Sequence, residues 1–96
     1  MTKNAALPIF EQELQQNMQT RLSRIEGQVR GVGKMLEEQR PCMEVLQQLA
    51  SVQAALRGVS KRVLRNYLER CATEAIRSGD NAIYDELMDA IYKFAK

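Results

Sequence analysis

The sequence predicts an all-α subunit of three helices with a very long central helix. Three observations carry that expectation. Apolar residues recur every three or four positions over most of the 96 residues, which is the period of an amphipathic helix. The runs break at Pro41 and again at Ser78-Gly79, where proline and glycine punctuate helices. No strand signal and no internal repeat occurs.

Leu14, Met18, Leu22, Ile25, Val29, Val32 and Leu36 form one apolar stripe, so the first helix is expected from near residue 10 to 38. Its three glycines, Gly27, Gly31 and Gly33, each cost about 1 kcal/mol relative to alanine and are expected to admit a neighbouring helix. Pro41 suits the first position of a second helix. From there Val45, Leu49, Val52, Leu56, Val59 and Val63 keep coiled-coil spacing, and Tyr67 and Cys71 extend the seam to Ile76. Such a helix of roughly 36 residues is about 54 Å long. Helix one is too short to cover it, so a second copy of the chain is expected. Asp80 or Asn81 can cap a third helix whose inner face is Ile83, Leu87, Ile91 and Phe94, with Asp85, Glu86 and Asp89 loading its early turns. Residues 1–9 are expected to be a flexible arm and residues 10–96 a single helical domain.

Cys42 and Cys71 are the only cysteines, and there is no histidine. The missing imidazole removes serine and cysteine hydrolase arrangements, mixed zinc sites and histidine-based nickel or cobalt sites, so no enzyme and no cofactor is expected. The 29 residues between the cysteines are about eight helical turns, which puts both thiols on one face roughly 43 Å apart. A disulfide needs Cα atoms about 4.4–6.8 Å apart. Two antiparallel copies bring Cys42 of one chain to Cys71 of the other, twice per dimer, about a twofold axis between Leu56 and Arg57. Each cysteine could instead be a small core residue. Against that, Cys42 follows Pro41 and Arg40 in the first helical turn, where the helix dipole and a cation favour thiolate over thiol. Cys42 is therefore expected to attack first and the partner chain's Cys71 to resolve. With no secretory leader evident, the pair fits a reducing cytoplasm, and no segment could span a membrane.

Charge is unevenly spread. Between Arg57 and Arg70 five cations face one acid, while Asp80 to Asp89 holds four acids. Arg57, Lys61 and Arg65 form a basic stripe at intervals of four, and Arg21 and Arg24 flank the apolar stripe of helix one. A solvated charged face is the plain reading; duplex DNA is the partner that would use it. The few aromatic residues offer no stacking platform for single strands.

The runs RLSRIEGQVRGVGKMLEE (21–38), Pro41-Cys42, QLASVQAAL (48–56) and YLERC (67–71) resemble the CsoR/RcnR family of bacterial transcriptional repressors. That resemblance implies a homodimer with antiparallel long helices, a tetramer built as a dimer of dimers, and binding of double-stranded operator DNA that ceases when inducer reaches the cysteine site. It also implies that copper sensors of the family carry cysteine, histidine and cysteine at the positions of Cys42, Tyr67 and Cys71, with Glu86 matching an acid beside the metal. The middle ligand is replaced here. The chain is therefore most similar to the family's persulfide-sensing branch, the CsoR-like sulfurtransferase repressors. In that branch reactive sulfur species (persulfides and polysulfides) leave a di- to tetrasulfide bridge between chains and release DNA. Resident metal is not expected. Cu(I) held by Cys42 and Cys71 is the alternative inducer, and a helical protein-interaction scaffold the second alternative.

Overall fold

In the computed structural model, which describes residues 10–95, the chain forms α1 (Gln12–Glu37), α2 (Cys42–Ser78) and α3 (Asn81–Phe94), with no strand among those residues. The expected arm at 1–9 lies outside the described residues. Each end has a local cause. The α1 terminus closes in a Schellman turn, in which Arg40 N–H donates to Met35 C=O at 3.0 Å and Gln39 N–H to Leu36 C=O at 3.1 Å. Gln39 occupies the left-handed position of that turn, with φ 54°, where a side chain is disfavoured. Pro41 then directly precedes α2. Gly79, at φ 66°, ends α2, and Asp80 caps α3 by accepting the Ala82 N–H at 2.9 Å. The acids expected to stabilise the start of α3 do not reach it: the first turn holds none, because Asp85 is the fifth residue of the helix and the dipole effect fades within one turn.

Gln39→Gly is accordingly expected to stabilise the protein by about 1 kcal/mol, the cost of a left-handed L-residue. A melting temperature that stays level or falls would contradict that reading of the turn.

The chain groups into two compact units that divide within α2, between Leu56 and Arg57. In the first, Met18, Ile25 and Val32 of α1 and Val45 and Val52 of α2 are buried, each set at intervals of seven. In the second, Val59 of α2 and Leu87 of α3 are buried. These seven residues are the buried hydrophobic core among the described residues, too little to support a domain of this size comfortably.

The apolar stripes predicted as single faces are split. Leu22, Val29 and Leu36 each follow a buried α1 residue by four positions, as Leu49, Leu56 and Val63 follow buried α2 residues, yet all six are exposed, Leu36 to 62%. A stripe wider than about 100° exceeds what one neighbouring helix covers. Nor do the α1 glycines admit a helix of this chain: a Cβ built at Gly27, Gly31 or Gly33 meets nothing within 4 Å. No described helix is long and apolar enough to cross a membrane.

Candidate functional site

Cys42 is the first residue of α2 and is exposed; Cys71 lies on the same unbroken helix and is half-buried; both are free thiols. They lie 29 positions apart in sequence, with no break in α2 between them. Arg40, expected to act on Cys42, is engaged by carboxylates. Its guanidinium pairs with Glu44 in the first turn of α2 and lies 3.9 Å from Glu38.

Around Cys71 the structure gathers the other two residues singled out from the sequence. Tyr67, one turn before Cys71, is hydrogen-bonded to Cys71 and to Glu86 of α3. Both partners favour the protonated phenol, as groups that accept from its O–H or carry negative charge do. Burial foremost, then the hydrogen bond and charge of Cys71, then Glu86, push the Tyr67 hydroxyl up to about 12 from its usual 10. It is a neutral phenol at physiological pH, and neutral phenols are poor ligands for soft ions.

Tyr67 also lines a groove of about 650 Å³ between Val59, Val63 and Leu64 of α2 and Ala90 and Phe94 of α3, with Ser60, Glu86, Asp89 and Lys93 completing the lining. Sequence reasoning did not find the groove, although its α2 wall has the signal of an i, i+4, i+8 apolar row, Val59-Val63-Tyr67. Among the described residues of one chain, no cluster of three or more cysteine, aspartate or glutamate side chains could hold a metal ion.

The basic residues divide by environment. Arg57 and Lys61 are exposed on successive turns of α2, and exposed Arg65 stands 3.4 Å from Glu69. On α1, Arg21 is half-buried and donates to Asn17 at 2.9 Å. Arg24 is exposed in a shallow polar depression shared with Gln16, Gln19, Thr20 and Ser23. Sequence reasoning did not single out those four uncharged residues. Their spacing of three and four is the helix period, but polar residues at that spacing also make any solvated face.

Comparison with known proteins places this geometry. The family described as "Metal-sensitive transcriptional repressor" matches residues 14–93. The copper-sensing transcriptional repressor CsoR of Bacillus subtilis (strain 168) is 44% identical over 77 residues, covering 79% of this chain and 76% of that protein. The copper-sensing repressor CsoR with Cu(I) from Geobacillus thermodenitrificans NG80-2 is 45% identical, covers 94% of each chain and superposes with a TM-score of 0.79. The nickel-responsive transcriptional regulator InrS is 41% identical, with a TM-score of 0.78 over 91% of this chain and 99% of its own.

Proposed function

Because the chain belongs to the metal-sensitive transcriptional repressor family, a family of regulators and not of enzymes, we propose that it represses transcription in the cytoplasm. It binds operator DNA as a homo-oligomer, and its inducer acts on Cys42 of one chain and Cys71 of another. The match across residues 14–93 carries the repressor role. The exposed apolar residues of α1 and α2 support the oligomer, since a chain with so small a core gains from a second copy.

The relatives support Cu(I) as the inducer better than any other. Two of the three are copper sensors, one of them seen with Cu(I). Two thiolates suit that soft ion, so Cys42 and Cys71 would hold it. A histidine-based nickel site does not fit, because the chain has no histidine.

A second reading is favoured by one observation: the phenol of Tyr67 stays neutral, hydrogen-bonded to Cys71 and Glu86, and adds no third donor. Two thiols without a further ligand suit reactive sulfur species. A polysulfide would pass one sulfane sulfur to a thiolate, leaving as the shorter polysulfide. The partner chain's thiolate then attacks the resulting persulfide, a sulfur–sulfur bond forms between chains, and hydrosulfide departs.

Titration of duplex DNA at several salt concentrations tests the repressor role, and salt-insensitive or absent binding would leave the scaffold alternative. Release of DNA by Cu(I) alone supports the copper reading. Release by polysulfide, reversed by a thiol reductant and accompanied by a cross-linked mass, supports the sulfur reading. Tyr67→His supplies a third donor and is expected to tighten Cu(I) binding by at least about tenfold, measured by competition with a chromophoric Cu(I) chelator. Unchanged affinity would mean that position 67 does not face the metal.

A further inference from the structure

Cys42 sits beside two open apolar side chains: Met43 is 66% exposed and Leu46, one turn beyond the thiol, 56%. Further along α2, Tyr67 stands one turn before Cys71 and lines the groove whose wall includes Leu64. Leu46 and Leu64 are 18 residues apart, five whole turns at about 3.6 residues each, so they project from the same side of α2. A twofold axis normal to two antiparallel α2 helices preserves that side. The rotation that sets Cys42 on Cys71 also sets Leu46 on Tyr67, because each pair is one turn apart. Val63 belongs both to the exposed apolar stripe and to the groove wall, so the groove continues the face that wants an apolar cover. Two grooves and two leucines per dimer satisfy each other reciprocally, as an isologous contact requires.

We propose that Leu46 of a second copy fills the groove beside Tyr67, and that this contact positions Cys42 against Cys71. Leu46 is a positioning residue. It acts through the intersubunit thiol pair proposed above, on which its role rests.

The contact is tested directly in a Cys42→Ser/Cys71→Ser background carrying Leu46→Cys and Tyr67→Cys. These positions are 21 residues apart on one helix, about 31 Å, so a chain cannot join its own pair. Diamide, which takes two electrons and two protons from two thiols, is expected to yield a covalent dimer; monomer alone overturns the proposal. In the otherwise native protein, Leu46→Ala is expected to slow diamide-driven Cys42–Cys71 dimer formation about tenfold, since small displacements of reacting atoms are costly, and Leu46→Met is expected to restore it. An unchanged rate overturns the positioning role. If Leu46→Ala dissociates the oligomer, the engineered pair decides. Native protein that forms no cross-link overturns the thiol-pair reading and the positioning role together, while the engineered pair still reports on the groove contact.

Discussion

Cys71→Ser is expected to abolish inducer-driven release of DNA while leaving DNA affinity in the absence of inducer unchanged. An inducer shifts DNA binding only through a difference in its interaction with two states of the protein. Coupling of this kind is worth about 1–3 kcal/mol, or a 5–150-fold weakening of DNA binding, and without the Cys71 thiol that factor falls to one. Cys71 is half-buried beside Tyr67 and Glu86, and Ser nearly keeps its size, so the fold and the basic surface are preserved. Cys42→Ser, at an exposed helix start, is expected to behave in the same way. Fluorescence anisotropy of labelled operator DNA, with and without Cu(I) or polysulfide, reads both quantities. A Cys71→Ser protein that still releases DNA on adding inducer would place the sensing chemistry elsewhere.

The second large effect concerns the basic stripe. Neutralising Arg57, Lys61 and Arg65 together to glutamine is expected to lower DNA affinity by about a thousandfold at moderate salt. The salt slope is expected to shrink by about 0.9 for each phosphate that the variant leaves unneutralised. Because Arg65 is already 3.4 Å from Glu69, Arg57→Gln and Lys61→Gln are each expected to cost more than Arg65→Gln. Arg77→Gln, which removes a partner of Glu74 at 3.8 Å, serves as a control with little effect. A triple variant that keeps both affinity and salt slope would assign the stripe to simple solvation.

Much of the architecture is legible in the residues alone, for reasons that differ by element. The three helices, their order and their ends to within a few residues follow from period and punctuation: Pro41 before α2, Gly79 after it, Asp80 at the cap of α3. The predicted helix of residues 10–38 appears as Gln12–Glu37, the difference lying where helix ends depend on caps; Glu11 makes no side-chain cap there. Of the candidate site, the cysteines and their register are legible because a continuous helix turns residue number into direction. Tyr67 and Glu86 come from the resemblance, and the structure brings them together with Cys71. Arg40, read as a cation acting on Cys42, is balanced by Glu44 and Glu38. The i, i+4 spacing of Arg40 and Glu44 is present in the sequence, but a spacing alone does not say which neighbour a flexible side chain selects.

The sequence by itself determined where helices begin and end and which residues share a helical face, since these depend on each residue's own backbone preference and on the fixed rise and turn of the helix. Only the tertiary structure decided which half of each apolar stripe is used within the chain, with Val45, Val52 and Val59 inside and Leu49, Leu56 and Val63 outside. It also decided that Tyr67 stands with Cys71 and Glu86, and that a groove lies between α2 and α3. Those outcomes depend on what stands across space from a side chain, and burial and hydrogen bonding are set by neighbours that helical periodicity does not name.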